Sequence, residues 1–317
     1  MGGLLSELGK KLAEWWMSLL VLPGALYLAV VGMAVTLGHG QALDLARLTA
    51  RITDRAGSPA AATVGGQVVL LAAVLAGSAV VGLAAQAVGS LIERYSLAAD
   101  WRSWPLLLRR LAHWLTVRRQ RRWRAAASAW HWHREAAARS LTRGERSDPA
   151  ERWAAHTAMM RVAFEAPARP TWSGDRVHAV AVRMDRDHHL DIAAIWPHLW
   201  LILPEEVRAE INTARLSVTR ATILSAWALL YLPLTVYWWP AAAITAALVL
   251  AGRRRTRTAI DTYATLLEAS TRLHARDLAE RLGLDAGGPV TPEAGDALTR
   301  LLTPSSPPPP SSPPSAE

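Results

Sequence analysis

Thirty-two consecutive residues, Ala221 to Gly252, carry no charge. A bilayer core is about 30 Å thick, and one helix needs about 20 apolar residues to cross it. Thirty-two are too many for one straight crossing and slightly few for two. Pro240 favours two. It follows Tyr237-Trp238-Trp239, an aromatic cluster of the kind found at the membrane–water boundary. Proline also disfavours helix at the residue before it. The chain is therefore expected to turn at Trp239-Pro240. One span would run from about Leu216 to Trp238, and another from Ala241 into Arg253-Arg254-Arg255. A single long span would put that arginine cluster on the far side from the Arg-rich segment before it, against the positive-inside rule. The alternative is a single tilted or re-entrant segment.

Two more spans are expected upstream, at about Met17–Leu37 and within 67–88. A signal peptide has an apolar core of about 7–15 residues followed by a small-residue cleavage site. The uncharged run Trp15–Leu43 is longer, which favours a retained anchor. Ser78, Gly82 and Gly89 recur at roughly helical spacing, and small residues on one face let a second helix approach closely. With Lys10 and Lys11 inside, four spans return both termini to the cytoplasm. The expected fold is an all-α membrane protein of a bacterial inner membrane. Its four transmembrane helices form two hairpins, with a helical cytoplasmic region and stalk. The segments are 1–92 (first hairpin), 93–168 (basic helices), 169–220 (motif and stalk helix), 221–252 (second hairpin), 253–302 (amphipathic helix) and 303–317 (a Ser/Pro tail that cannot bury a core).

Charge is concentrated. The chain holds 33 Arg, two Lys and a net charge of +9. The segment from Arg94 to Arg146 alone has a surplus of ten positive charges. Within it Trp104, Leu107, Leu108, Leu111 and Trp114 share a helical face, with Arg109 and Arg110 on the other side. A Trp/Leu face opposite Arg is the pattern of a helix lying in the membrane interface. Interleaved Trp and Arg also suit nucleic acid, but the membrane flank favours lipid. The chain has no cysteine, which excludes disulfides, Cys–zinc sites and thiol catalysis.

Pro204 and Glu205-Glu206 mark the start of a helix that should run directly into the third span. After the fourth span, Arg257–Leu284 reads as an amphipathic helix with Ile260, Tyr263, Leu267, Ser270, His274 and Leu278 on one face. The two are expected to pack as a stalk.

Arg169 to Pro204 is the most informative stretch. Ser173 or Asp175 could cap one helix and Asp191 the next, and Trp196 and Trp200 should bury. Pro170, Thr171, Gly174 and Asp175, then Leu190 and Asp191, then Trp196, Pro197, Leu199, Trp200, Leu203 and Pro204 form the pattern Pro-Thr-x-x-Gly-Asp, Leu-Asp, Trp-Pro-x-Leu-Trp-x-x-Leu-Pro. It resembles a pattern in uncharacterised bacterial multi-pass membrane proteins. Where that pattern often has Tyr-Gly, this chain has His188-His189. The resemblance implies a membrane protein and brings no activity.

Asp175, Asp185, Asp187, His188, His189 and Asp191 are the candidates for chemistry. Asp187, His188, His189 and Asp191 are close enough in sequence to consider a divalent metal, although a solvated, cap-rich turn is the simpler reading. No phosphate loop, GxSxG, HExxH or kinase signature is present. The expected role is non-catalytic: a scaffold or signalling component that binds a protein partner, or itself, through a surface formed or supported by the motif. No cofactor or small-molecule ligand is identifiable. The alternatives are a self-assembling pore or membrane-disrupting effector, and a metal-dependent membrane enzyme.

Overall fold

The computed structural model describes residues 21–57, 63–145, 148–284, 288 and 290–303. Lys10, Lys11, the start of the first expected span and the Ser/Pro tail lie outside the described residues. Among those described, all regular structure is helical. The chain divides into two compact units. Unit 1 holds Met1–Ser96 and Leu216–Ala259; unit 2 holds Leu97–Arg215 and Ile260–Glu317.

Unit 1 contains α1 (Leu22–Leu37), α2 (Leu45–Ala56) and α3 (Val64–Leu97). It also takes the second half of α8 (Glu205–Tyr231) and the first half of α9 (Pro240–Arg281). Its helices meet through small residues. Ser78, Gly82, Ala85 and Gly89 form the buried face of α3, the face expected from their spacing. A Cβ on Gly24 would run into the backbone of Ser78, and one on Gly89 would lie 2.9 Å from Ile223 Cγ1. Backbones this close leave room for no side chain. The core around them holds Val30, Ala34, Leu37, Trp227, Tyr231, Leu234 and Trp238. Two hydrogen bonds position its aromatic rings. Tyr27 Oη donates to the Leu230 carbonyl at 3.2 Å, and Trp238 Nε1 donates to the Ala42 carbonyl at 3.0 Å.

Two helical segments, Val64–Leu97 and Glu205–Val236, are long and apolar enough to cross a membrane. Four were expected. α1 has 16 described residues, and the first four of its expected span fall outside the description. The apolar part of α9 runs only from Pro240 to Gly252 before Arg253, about 20 Å at 1.5 Å per residue. The α-helical part of α8 also ends earlier than Trp238. Pro233 turns Leu232–Val236 into a 3-10 segment, because proline removes a donor and disfavours helix before it. α9 then begins at Pro240.

Unit 2 gathers large apolar side chains into a core. α4 (Leu106–Thr142) and α5 (Pro149–Val162) form an antiparallel hairpin. α6 (Trp172–His188), α7 (Ile192–Ile202), α10 (Pro292–Leu302), the start of α8 and the end of α9 enclose one core. Met184, Leu190, Ile195, Leu199, Ile211, Leu267, Leu278 and Leu298 fill it. Ile211 of α8 and Leu267 of α9 share this core, as expected of the two stalk helices. The expected face of α9 is the buried one: Ile260, Leu267, Ser270 and Leu278 are buried, Tyr263 and His274 half-buried. Trp196 and Trp200 pack against the same core, their rings 5.9 Å apart.

Candidate functional site

The Pro170–Asp175 turn is a fastening built around one carboxylate. Thr171, not Ser173 or Asp175, caps α6; its side chain accepts the Gly174 N–H at 3.0 Å. Asp175 is thereby free to point inward, where it is 4% exposed. Its Oδ1 accepts the N–H groups of Ala168 (2.9 Å) and Arg169 (2.8 Å). Its Oδ2 accepts both Nε (3.1 Å) and Nη2 (2.8 Å) of Arg119. Each oxygen thus has two donors, as a buried charge requires. Burial still pushes the Asp175 carboxyl above its usual range, against the opposite pull of Arg119 and the two N–H groups.

Neighbouring donors complete the fastening. Arg119 Nη2 also reaches the Val162 carbonyl at 2.8 Å. Gln120 donates to the Pro167 carbonyl, Trp123 to that of Ala163 and Trp101 to that of Ala168. Arg169 Nη1 donates to the Leu97 carbonyl at 2.9 Å. Gly174 is required there, since a Cβ would sit 2.5 Å from the Leu97 oxygen. The motif thereby ties α4, the 163–169 segment and the end of α3 to α6.

A second fastening begins at the next residue of α6. Arg176 pairs with Asp261 at 2.6 Å and donates to Thr265; Arg183 pairs with Glu268. Both guanidinium groups lie over Phe164, Arg176 at 4.3 Å from the ring centroid and Arg183 at 5.9 Å. Arg176 Nη1 is buried without a hydrogen-bond partner, and the face of the only phenylalanine in the chain lies beneath that group. An aromatic face attracts a cation in this position.

The four candidate metal ligands do not converge. Asp187 pairs with Arg186 and Arg272. His188 Nδ1 faces the Val290 carbonyl, and His189 Nδ1 faces Asp296. Asp191 caps α7 by accepting the Ala193 N–H at 2.8 Å. No group of three potential ligands occurs among the described residues. His189 has a structural role: φ is 54°, and the turn closes with the His189 N–H on Asp185 and the Leu190 N–H on Met184. This is the left-handed helix stop that favours glycine. α10 packs over this turn. Gly295 meets the His188 carbonyl, and the Thr299 hydroxyl donates to the His189 carbonyl while accepting the Asp191 N–H.

Pro197 lies exposed inside α7, and Pro204 precedes α8 with its carbonyl accepting the Arg208 N–H. On α4, Leu107, Leu108, Leu111 and Trp114 are exposed, as are Arg109 and Arg110; Trp104 is half-buried. The expected interfacial face is thus uncovered by protein.

Beside the motif is a cleft of about 340 Å³ lined by Ala99, Asp100, Trp101, Arg102, Ser103, Ala168, Arg169 and His178. Burial and Arg169 push the His178 imidazole below its ordinary range, and burial also lowers Arg169. The Ser103 hydroxyl donates to the Asp100 carbonyl at 2.7 Å. Nothing in the local sequence pattern points to Arg119, Phe164 or Asp261 as partners of this region. Arg119 lies 56 residues from Asp175, and Asp261 lies 85 residues from Arg176.

Comparison with protein families, with curated proteins and with solved structures returns no match.

Proposed function

We propose that the protein is an integral membrane scaffold, with unit 1 in the bilayer and unit 2 holding a protein partner on the cytoplasmic side. The observation that carries the membrane reading is α3. Only 17% of its most apolar window is buried, and Val68, Val69, Leu70, Leu71, Val74 and Leu75 are all exposed. Fully burying such a side chain contributes about 1.5–3 kcal/mol; at 42–69% exposure each leaves part of that unrealised in water, a loss that lipid removes. In the full reading α1 and the apolar half of α9 complete four spans, with both termini cytoplasmic. The Trp/Leu face of α4 then rests in the headgroup region of a bacterial inner membrane.

The scaffold reading rests on how unit 2 uses its polar groups. Asp175, Arg119, Arg176 and Arg183 are engaged in holding helices together, and the exposed surface of α4 is rich in arginine. A surface of this charge suits an acidic protein partner through complementary fields. Mass spectrometry of the native protein, taken from its own membranes in mild detergent, tests it. A stoichiometric acidic second protein supports the scaffold. A homo-oligomer with nothing attached contradicts it and favours a pore.

A further inference from the structure

Near the far end of the α4–α5 hairpin lies a second cleft, of about 430 Å³, lined by Trp130, Arg134, Arg152, Trp153 and His156. It contains two guanidinium groups, three aromatic rings and no carboxylate. This volume falls in the range of small-molecule sites. Neither Arg134 nor Arg152 has a carboxylate partner among the described residues. The adjacent acid, Glu151, is directed to His133 at 3.5 Å.

The rings hold the cations in place. The Arg134 guanidinium lies 5.6 Å from the centroid of Trp130. An indole face attracts a cation at this distance, and the guanidinium N–H groups remain donors for an anion. His156 stands between the indoles, 5.7 Å from Trp130 and 6.4 Å from Trp153. Trp153 is 65% exposed, so a broad aromatic face borders the cleft with little protein over it. The spacing that builds this is local: Trp130 and Arg134 are one turn apart on α4, and Trp153 and His156 one turn apart on α5.

We infer that this cleft is a binding site for a planar aromatic anion of the nucleotide class. The base stacks on Trp153, and the phosphate receives charge-assisted hydrogen bonds from Arg134 and Arg152. Base–aromatic stacking and a paired guanidinium–phosphate contact are each worth enough to be read singly. The site is independent of whether a protein partner binds elsewhere on unit 2.

Isothermal titration of the full chain in maltoside micelles tests this, with adenosine 5′-monophosphate and inorganic phosphate as probes. The nucleotide is expected to bind at one saturable site, at least about tenfold more tightly than phosphate. Arg152→Gln and Trp153→Leu should each weaken it by about tenfold. Trp132→Leu, an exposed indole outside the cleft, should leave it unchanged. Circular dichroism establishes that each variant is folded. No saturable nucleotide binding to the folded protein would overturn the inference. So would equal affinity for phosphate with Trp153→Leu silent, or an equal loss in Trp132→Leu.

Discussion

Units 1 and 2 are both helical, yet α3 of unit 1 and the helices of unit 2 put opposite residues inside. In unit 1 the buried face of α3 is Ser78, Gly82, Ala85 and Gly89, while its leucines and valines point out. In unit 2 the large apolar side chains point in, and the buried charges Asp175 and Arg176 are paired with Arg119 and Asp261. The first arrangement gains from close backbone packing and gives up burial of large apolar groups. That exchange is favourable where the surroundings are themselves apolar. The second follows the hydrophobic effect in water. Under the proposed membrane placement, the two halves of this chain meet two different solvents. α8 and α9 pass from one regime to the other without a break in the helix.

The comparison is broken most severely by removing a charge from unit 2. Asp175→Ala leaves the Arg119 guanidinium without its carboxylate and two backbone N–H groups without an acceptor. The expected loss is about 3–5 kcal/mol, read by denaturant unfolding of the tryptophan signal. In unit 1 no single charge has this weight, and the matching lesion is steric. Gly24→Leu would push a side chain into the Ser78 backbone, and overpacking of this kind costs about 1–3 kcal/mol. Thermal unfolding in detergent should register it, whereas Gly32→Leu, where a Cβ meets nothing within 4 Å, should be close to neutral.

A subtler contrast is pH dependence. The pKa of His178 is lowered in the folded protein, chiefly by burial and then by Arg169. The unfolded chain therefore takes up the proton first as pH falls through the ordinary histidine range. Stability from this group is complete above that range and declines as pH drops toward the folded-state value. His178→Gln should flatten that part of the stability–pH curve. The smallest effect is expected at His189. Its φ of 54° costs a non-glycine residue about 1 kcal/mol. His189→Gly should therefore raise stability by up to about 1 kcal/mol, less whatever the Asp296 contact supplies.

Much of the helix plan is legible from local pattern. The small-residue face of α3, the apolar face of α9, the polar break after Thr142 and the Asp191 cap are all set by residues within a few turns of one another. What local pattern misses is long-range pairing. Asp175 reads equally well as a cap or as a ligand, and only folding brings Arg119 to it from 56 residues away. The His188-His189 pair reads most simply as part of a cap-rich turn, with a metal as the alternative, and it serves as a helix stop covered by α10. Span number follows less directly from local pattern: Arg253 ends the uncharged part of α9 after Gly252, which leaves that segment shorter than a full crossing.

The central claim is that the outward face of α3 meets lipid. Because the chain has no cysteine, single cysteines can be placed on it without background. Leu71→Cys, Leu75→Cys and Leu83→Cys, all exposed in the structure, should resist a membrane-impermeant maleimide in native membranes and react after detergent denaturation. Ala99→Cys, just beyond the helix, should react when the cytoplasmic face is open, as in inverted vesicles. Labelling of Leu75→Cys in intact membranes as fast as Ala99→Cys would show α3 in water and contradict the account.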